Sequence, residues 1–154
     1  MASLKFVRTV WEAFRAQSGL EPVLFDSLRV TGASPGTVDF ELDIQKKHTN
    51  RLGTVHGGTI ASLVDLGGSL AVASRGLHAT GVSTDLNVVF LNSGGPVGRK
   101  LRGQVVCDKF GKNLAFTSAR FLNEEDHVVA RGSHTKYVAK AWSDENNRVG
   151  EMKD

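Results

Sequence analysis

Residues 82–91, 101–108, 114–122 and 128–138 are rich in β-forming residues and largely alternate apolar with polar positions. A period of two puts every second side chain on one face, so each stretch predicts a half-buried β-strand. Ser93-Gly94-Gly95-Pro96, Phe110-Gly111-Lys112-Asn113 and Asn123-Glu124-Glu125-Asp126 separate them, and connections this short favour antiparallel neighbours. Upstream, Val38, Phe40, Leu42 and Ile44 alternate with Asp39, Glu41 and Asp43 after the turn signal Ser34-Pro35-Gly36. Residues 23–30 mix apolar and polar positions less regularly and are read as the first strand.

Two stretches follow helical spacing instead. Leu4, Val7, Val10, Trp11 and Phe14 form one apolar stripe, which predicts an amphipathic helix over about 4–17. Residues 59–74 are nearly all Ala, Leu, Val, Ile, Gly and Ser and predict a buried helix, ended by the cation Arg75 and the C-cap Gly76. The outline is an α+β fold with an antiparallel sheet, one domain over 1–142 and a polar tail over 143–154 that is expected to fray. A single sheet covers a helix on one face only. A helix apolar all round therefore needs the sheet to curl about it, or a second subunit.

Composition narrows the function classes. The chain has 154 residues, 40% hydrophobic and 23% charged, which suits one ordinary globular domain. Its one cysteine, Cys107, makes neither a disulfide framework nor a metal site alone and reads as a half-buried strand thiol. The net charge of +3 comes without a basic run or an aromatic platform, which argues against nucleic acid and suits a small polyanionic ligand. No stretch reaches the roughly 18 apolar residues of a membrane span, so no stable membrane insertion is expected. Nor does the N-terminus resemble a secretory signal. Lys5, Arg8 and Arg15 leave a mitochondrial presequence open beside a cytoplasmic location, although Glu12 and the regular apolar spacing favour an ordinary helix.

The candidate chemistry lies where the buried helix begins. Residues 48–58 read His-Thr-Asn-Arg-Leu-Gly-Thr-Val-His-Gly-Gly. Glycines beside a histidine at a helix start leave backbone N–H groups unpaired, where the helix dipole favours a developing oxyanion. Asp65 then interrupts the apolar helix, and an ionised carboxylate there needs partners or a task. If the helix begins at Gly57, Asp65 is eight residues on, roughly 12 Å along the axis at about 1.5 Å per residue. An acid or base must come within about 3 Å of the atoms it serves. Asp65 therefore cannot serve a carbonyl held at its own Gly57. In a two-fold dimer with antiparallel helices, it could meet Asn50, His56 and Gly57 of the other subunit.

The pattern His48-Thr49-Asn50, Gly53-Thr54, His56-Gly57-Gly58 and Ser62-Leu63-Val64-Asp65 closely resembles the hotdog-fold acyl-CoA thioesterases. The matching branch includes the phenylacetate-pathway enzymes and the eukaryotic thioesterase-superfamily-member proteins. Gly81-Val82-Ser83-Thr84-Asp85-Leu86-Asn87, the stretch from Gly111 through Thr117, and Gly132-Ser133-His134-Thr135-Lys136 look like the family's later strands. The resemblance implies a long helix wrapped by a curved antiparallel sheet, in homodimers with shared active sites and often in homotetramers. It implies that the Gly57 N–H is the main oxyanion donor and that Asn50 helps polarise the thioester carbonyl. His56 then holds the local geometry or touches the acyl group, Asp65 of the facing subunit activates water, and Ser83 positions that water. The expected substrate is acyl-CoA, hydrolysed without metal or organic cofactor. Cations should meet the coenzyme A phosphates, with Lys112, His134 and Lys136 as candidates and Arg99, Lys100 and Arg102 as alternatives.

Rival readings are weaker. A metal hydrolase on His48, His56 and Asp65 lacks any HExxH or Cys/His cluster. A P-loop would need Lys and Ser or Thr after the glycines. A non-enzymatic acyl-CoA carrier would need the pocket but neither Asp65 nor Ser83. A hotdog dehydratase binds the same thioesters but uses a different acid–base motif.

Overall fold

The computed structural model describes residues 2–153, so the expected outer bounds at Met1 and Asp154 lie outside the described residues. The N-terminal helix α1 (Ala2–Gln17) buries Val7, Val10 and Trp11, the stripe its spacing predicts. A short helix α2 (Leu20–Leu24) follows, then β1 (Arg29–Ser34) and β2 (Thr37–Asp43). The first strand thus starts later than its pattern implied, because residues 20–24 turn helically. Pro22 sits in the first turn of α2, where a missing N–H costs nothing and the fixed φ is already helical.

A 3-10 turn (Lys46–His48) leads to the central helix α3 (Gly57–Ala73). Four strands complete the sheet: β3 (Val82–Phe90), β4 (Lys100–Phe110), β5 (Leu114–Leu122) and β6 (Val128–Tyr137). Their order is β1-β2-β4-β5-β6-β3, with every pair antiparallel. The sheet curves around α3. Phe40, Leu42, Leu101, Val105, Ala115, Phe121 and Ala130 make its buried inner face.

Helix and sheet approach most closely at a glycine pair inside α3. A Cβ on Gly67 would stand 2.8 Å from Val105 Cγ2, and one on Gly68 would stand 2.6 Å from His134 Nδ1 and 2.7 Å from Thr117 Oγ1. Neither position has room for a side chain. On its remaining side α3 meets α1. A stripe of Gly58, Ala61, Ser62 and Asp65 stays partly open. One chain therefore leaves its central helix incompletely covered.

The C-terminal segment, expected to fray, is docked. Two 3-10 turns, Ala141–Ser143 and Val149–Glu151, follow β6. The Arg148 N–H donates to Gly76 O at 2.8 Å, and the His78 N–H donates to Asn147 Oδ1 at 2.8 Å. Trp142 packs on Phe110 with ring centroids 5.0 Å apart. Polar residues here satisfy the backbone beyond the end of α3, a use that composition does not distinguish from solvation. The Cys107 thiol, read as half-buried, is fully buried.

Candidate active site

The first half of the candidate site is built from a main-chain N–H and one side-chain amide. Asn50 opens a tight loop in which its N–H donates to Thr54 O at 2.8 Å. Its Oδ1 accepts from the N–H groups of Leu52 (2.9 Å) and Thr54 (3.3 Å). Gly53 supplies the left-handed residue at φ +77, which glycine adopts without strain. With Oδ1 turned into the loop, the Asn50 Nδ2 amide makes no hydrogen bond among the described residues and is free to donate outward.

His56 is the N-cap of α3, with φ −69 and ψ 138. Its Nδ1 accepts the Gly58 N–H at 2.8 Å, so Nδ1 is the unprotonated nitrogen of the neutral ring. Its carbonyl accepts from the N–H groups of Thr59 and Ile60 at 2.9 and 3.3 Å. The His56 N–H itself donates to His48 O at 2.8 Å, so three of the four orphan donors of this helix start, those of His56, Gly58 and Thr59, are satisfied. The fourth, the Gly57 N–H, has no hydrogen-bond partner among the described residues. Phe90 lies beside it: a Cβ on Gly57 would be 3.2 Å from Phe90 Cζ. An unpaired donor at the positive end of a seventeen-residue helix is what a developing oxyanion requires.

His48, the other histidine of the motif, is structural. It is fully buried, its Nδ1 accepts the Gln45 N–H at 2.9 Å and its Nε2 bonds Leu24 O at 2.5 Å. Burial holds the imidazole below its ordinary pKa. Both nitrogens are committed, so His48 has none to offer a metal. Among the described residues no cluster of three His, Cys, Asp or Glu side chains stands at metal-binding spacing.

The second half lies further along α3. Asp65 lines a cleft of about 190 Å³ with Leu20, Glu21, Ala61, Ser62 and Leu86. Its carboxylate makes no ion pair and no side-chain hydrogen bond among the described residues. Across from α3, Ser83 Oγ stands 2.7 Å from His134 Nε2, and either atom can be the donor. His134 is fully buried, and its Nδ1 makes no close hydrogen bond among the described residues. Burial, followed by the neighbouring Lys136 ammonium, lowers its pKa, which keeps the ring neutral near pH 7. One chain brings Asn50, His56 and Gly57 together at one end of α3 and sets Asp65 further along the same helix, with Ser83 joined to His134 on the sheet beneath. It does not join the two groups.

Two expected phosphate ligands are displaced. His134 is 0% exposed and Lys136 is 3% exposed, both beneath α3, so neither stands at a pocket mouth. The signal was legible: on β6 they share a strand face with Ala130 and Gly132, while Arg131, Ser133, Thr135 and Tyr137 take the other face. Lys112 does stand exposed in the turn between β4 and β5. Arg99 and Arg102 are engaged by Glu124 and Asp126. The contact between His134 and Ser83 joins residues 51 positions apart and was missed, because the register of β3 on β6 is invisible without the fold.

Comparisons with known proteins agree with this architecture. The thioesterase superfamily model matches residues 52–130. A Schizosaccharomyces pombe protein whose name provisionally calls it an esterase is 47% identical over 144 residues, covering 94% of this chain and 89% of its own. Human acyl-coenzyme A thioesterase 13 is 35% identical over 137 residues, covering 86% of this chain and 94% of its own. The crystal structure of zebrafish thioesterase superfamily member 2 superposes with a TM-score of 0.79 at 32% identity, over 87% of this chain and 96% of that one. The chain therefore belongs to the thioesterase superfamily, as a hotdog-fold thioester hydrolase.

Proposed function

We propose that the protein hydrolyses acyl-CoA to the free acid and coenzyme A, in active sites shared between two copies of the chain. The observation that carries this reading is the unpaired Gly57 N–H on the same helix as an unpaired carboxylate, Asp65. The thioester carbonyl oxygen accepts from the Gly57 N–H and Asn50 Nδ2, which raises the electrophilicity of its carbon. Asp65 of the other copy takes a proton from water as the water oxygen bonds to that carbon. The tetrahedral intermediate collapses with cleavage of the C–S bond, and the sulfur leaves with the proton from Asp65. Ser83, oriented by His134, holds the water. His56 shapes the oxyanion donor by capping its neighbour.

Sharing follows from reach, since Gly57 and Asp65 stand roughly 12 Å apart along α3. It is supported by the open edge of β3, which among the described residues pairs only with β6 and exposes Val82, Leu86, Val89 and Phe90. An unpaired, apolar edge strand is a template for a second chain. A two-fold there lays the partner helix antiparallel to α3 and covers Leu86 and Phe90. Further association through the outer sheet face, where Val106, Phe116 and Tyr137 are exposed, gives the homotetramer of this reading. Lys112 is the expected cation left open to the coenzyme A phosphates.

The test is thiol release from a panel of short, medium, long and aryl acyl-CoAs, with loss of water followed in parallel. Asp65→Asn keeps the shape and removes the base, so kcat should fall about 10²–10⁴-fold. Mixing Asp65→Ala with Asn50→Ala subunits should restore activity, because exchange rebuilds one intact site per heterodimer. Near-normal turnover in a folded Asp65→Asn protein, or silent heterodimers, overturns the mechanism. Water loss without thiol release assigns a dehydratase instead.

A further inference from the structure

Beneath the Asp65 cleft lies a buried cation that the reaction as written does not use. Lys136 is 3% exposed, and its Nζ donates to Ser69 Oγ at 2.5 Å and to Thr80 Oγ1 at 3.5 Å. No carboxylate lies within ion-pair distance of it among the described residues. An ammonium satisfied only by hydroxyls is expensive, and an apolar side chain would fill the space at lower cost. A group kept on those terms has a task for its charge.

The surroundings identify the task. Ser69 is one helical turn beyond Asp65 on α3, so the ammonium lies along the helix face that carries Asp65. Glu21, in the first turn of α2, lines the same cleft as Asp65. Asp65 and Glu21 are the two carboxylates whose fields reach Lys136. The other titratable groups near by are His134 on β6, which burial keeps neutral, and Asp85 on β3. Asp85 pairs in register with Thr135, on the outward face.

We propose that Lys136 is a positioning residue that holds Asp65 as a carboxylate in the cleft, and that Glu21 opposes it from the facing wall. The inference rests on the reading of Asp65 as the base. Attraction to a cation keeps a carboxylate ionised to lower pH, and repulsion by a second carboxylate does the reverse. Lys136 thus attracts the Asp65 carboxylate and Glu21 repels it, which sets both its place in the cleft and the charge it faces as water gives up a proton. A lysine that merely fills space moves neither property.

The experiment is the pH profile of kcat/KM for thiol release by wild type, Lys136→Met, Glu21→Gln and Asp65→Asn. Lys136→Met should move the acidic limb upward by on the order of one pH unit, and Glu21→Gln should move it downward. Lys136→Arg, which keeps the charge, should restore the limb toward its original place. A limb unmoved in Lys136→Met, or moved the same way in both variants, overturns the proposal. If Lys136→Met does not fold, a limb that fails to move downward in Glu21→Gln overturns it equally. Asp65→Asn separates the two failures. If the limb survives that substitution, Asp65 is not the base; if it vanishes there yet ignores Lys136 and Glu21, only this inference fails.

Discussion

The two halves of the candidate site are made of different materials. At the start of α3 the donors are a backbone N–H and a side-chain amide, placed by a tight loop, a capping histidine and a glycine. Further along, the polar groups are side chains from three elements: Asp65 on α3, Ser83 on β3, and His134 with Lys136 on β6. The first half exposes its donor and needs no titrating group. The second half buries an imidazole and an ammonium, each held below its ordinary pKa by desolvation. On the proposed mechanism, oxyanion stabilisation rests on groups whose charge does not change with pH, and proton transfer on groups whose charge does. Substitutions in the first half should lower rates without moving a pH profile, and substitutions in the second should move one.

The sharpest way to break that comparison is to remove the Gly57 donor. Gly57 is the first residue of α3, and His56 before it has φ −69 and ψ 138. Those angles are what a residue preceding proline prefers, and the first helical position is where proline is best tolerated. Gly57→Pro therefore removes the N–H while the helix start persists. The one tight contact is with Phe90, 3.2 Å from a Cβ at this position, so the ring must give by a few tenths of an ångström. Loss of one oxyanion donor costs about 10²–10³-fold in kcat, and the acidic limb should stay where it is. Thiol-release kinetics beside thermal unfolding checks both. A variant that folds and turns over normally would remove Gly57 from the chemistry.

The same contrast explains what was legible in the sequence. The second-half strands were readable because alternation with short turns leaves few other folds. The helix start was readable because Gly57, His56 and Asn50 act within a few residues of one another. Residues 23–30 misled because a mixed apolar pattern over so short a stretch does not separate a strand from a turn of helix, and Pro22 sat where either reading accepts it. The buried end of the site was hardest. Parity along β6 puts His134 and Lys136 on the inner face, yet their residue types argue for solvent, and only the close passage of α3 at Gly68 shows what they touch. Long polar side chains are read by default as surface, so a buried one is missed wherever its partner is remote in sequence.

The second prediction concerns stability rather than rate. Burial lowers the Lys136 pKa from 10.5 to about 8. The folded ammonium then releases its proton at lower pH than the unfolded one. Between about 8 and 10.5 the unfolded chain binds more protons, and stability rises with pH across that window. A shift of that size corresponds to about 3 kcal/mol over the whole window. Other groups titrate there too, so the quantity to follow is the difference from Lys136→Met. Denaturant unfolding at pH 7 and pH 10 should show wild type gaining on the variant as pH rises. Parallel curves would mean that the ammonium is not held in the core.

The smallest effect expected belongs to His56, and it tests whether the first half of the site is as purely structural as its geometry implies. The His56 Nδ1 accepts the Gly58 N–H, and its carbonyl accepts from Thr59 and Ile60. His56→Ala keeps the carbonyl and loses only the side-chain cap, which costs about 1 kcal/mol of helix stability. The freed Gly58 N–H then joins that of Gly57 in facing solvent, so the oxyanion donor survives, less well oriented. His56→Asn restores a capping acceptor of a preferred type and should recover most of that loss. Thermal melts of the three proteins give the stability order, and the kcat of thiol release should fall less than in Gly57→Pro. If His56→Ala matches Gly57→Pro in lost turnover and His56→Asn rescues stability without rescuing rate, the imidazole touches the substrate. In that case this half-site would hold a second catalytic side chain beside Asn50.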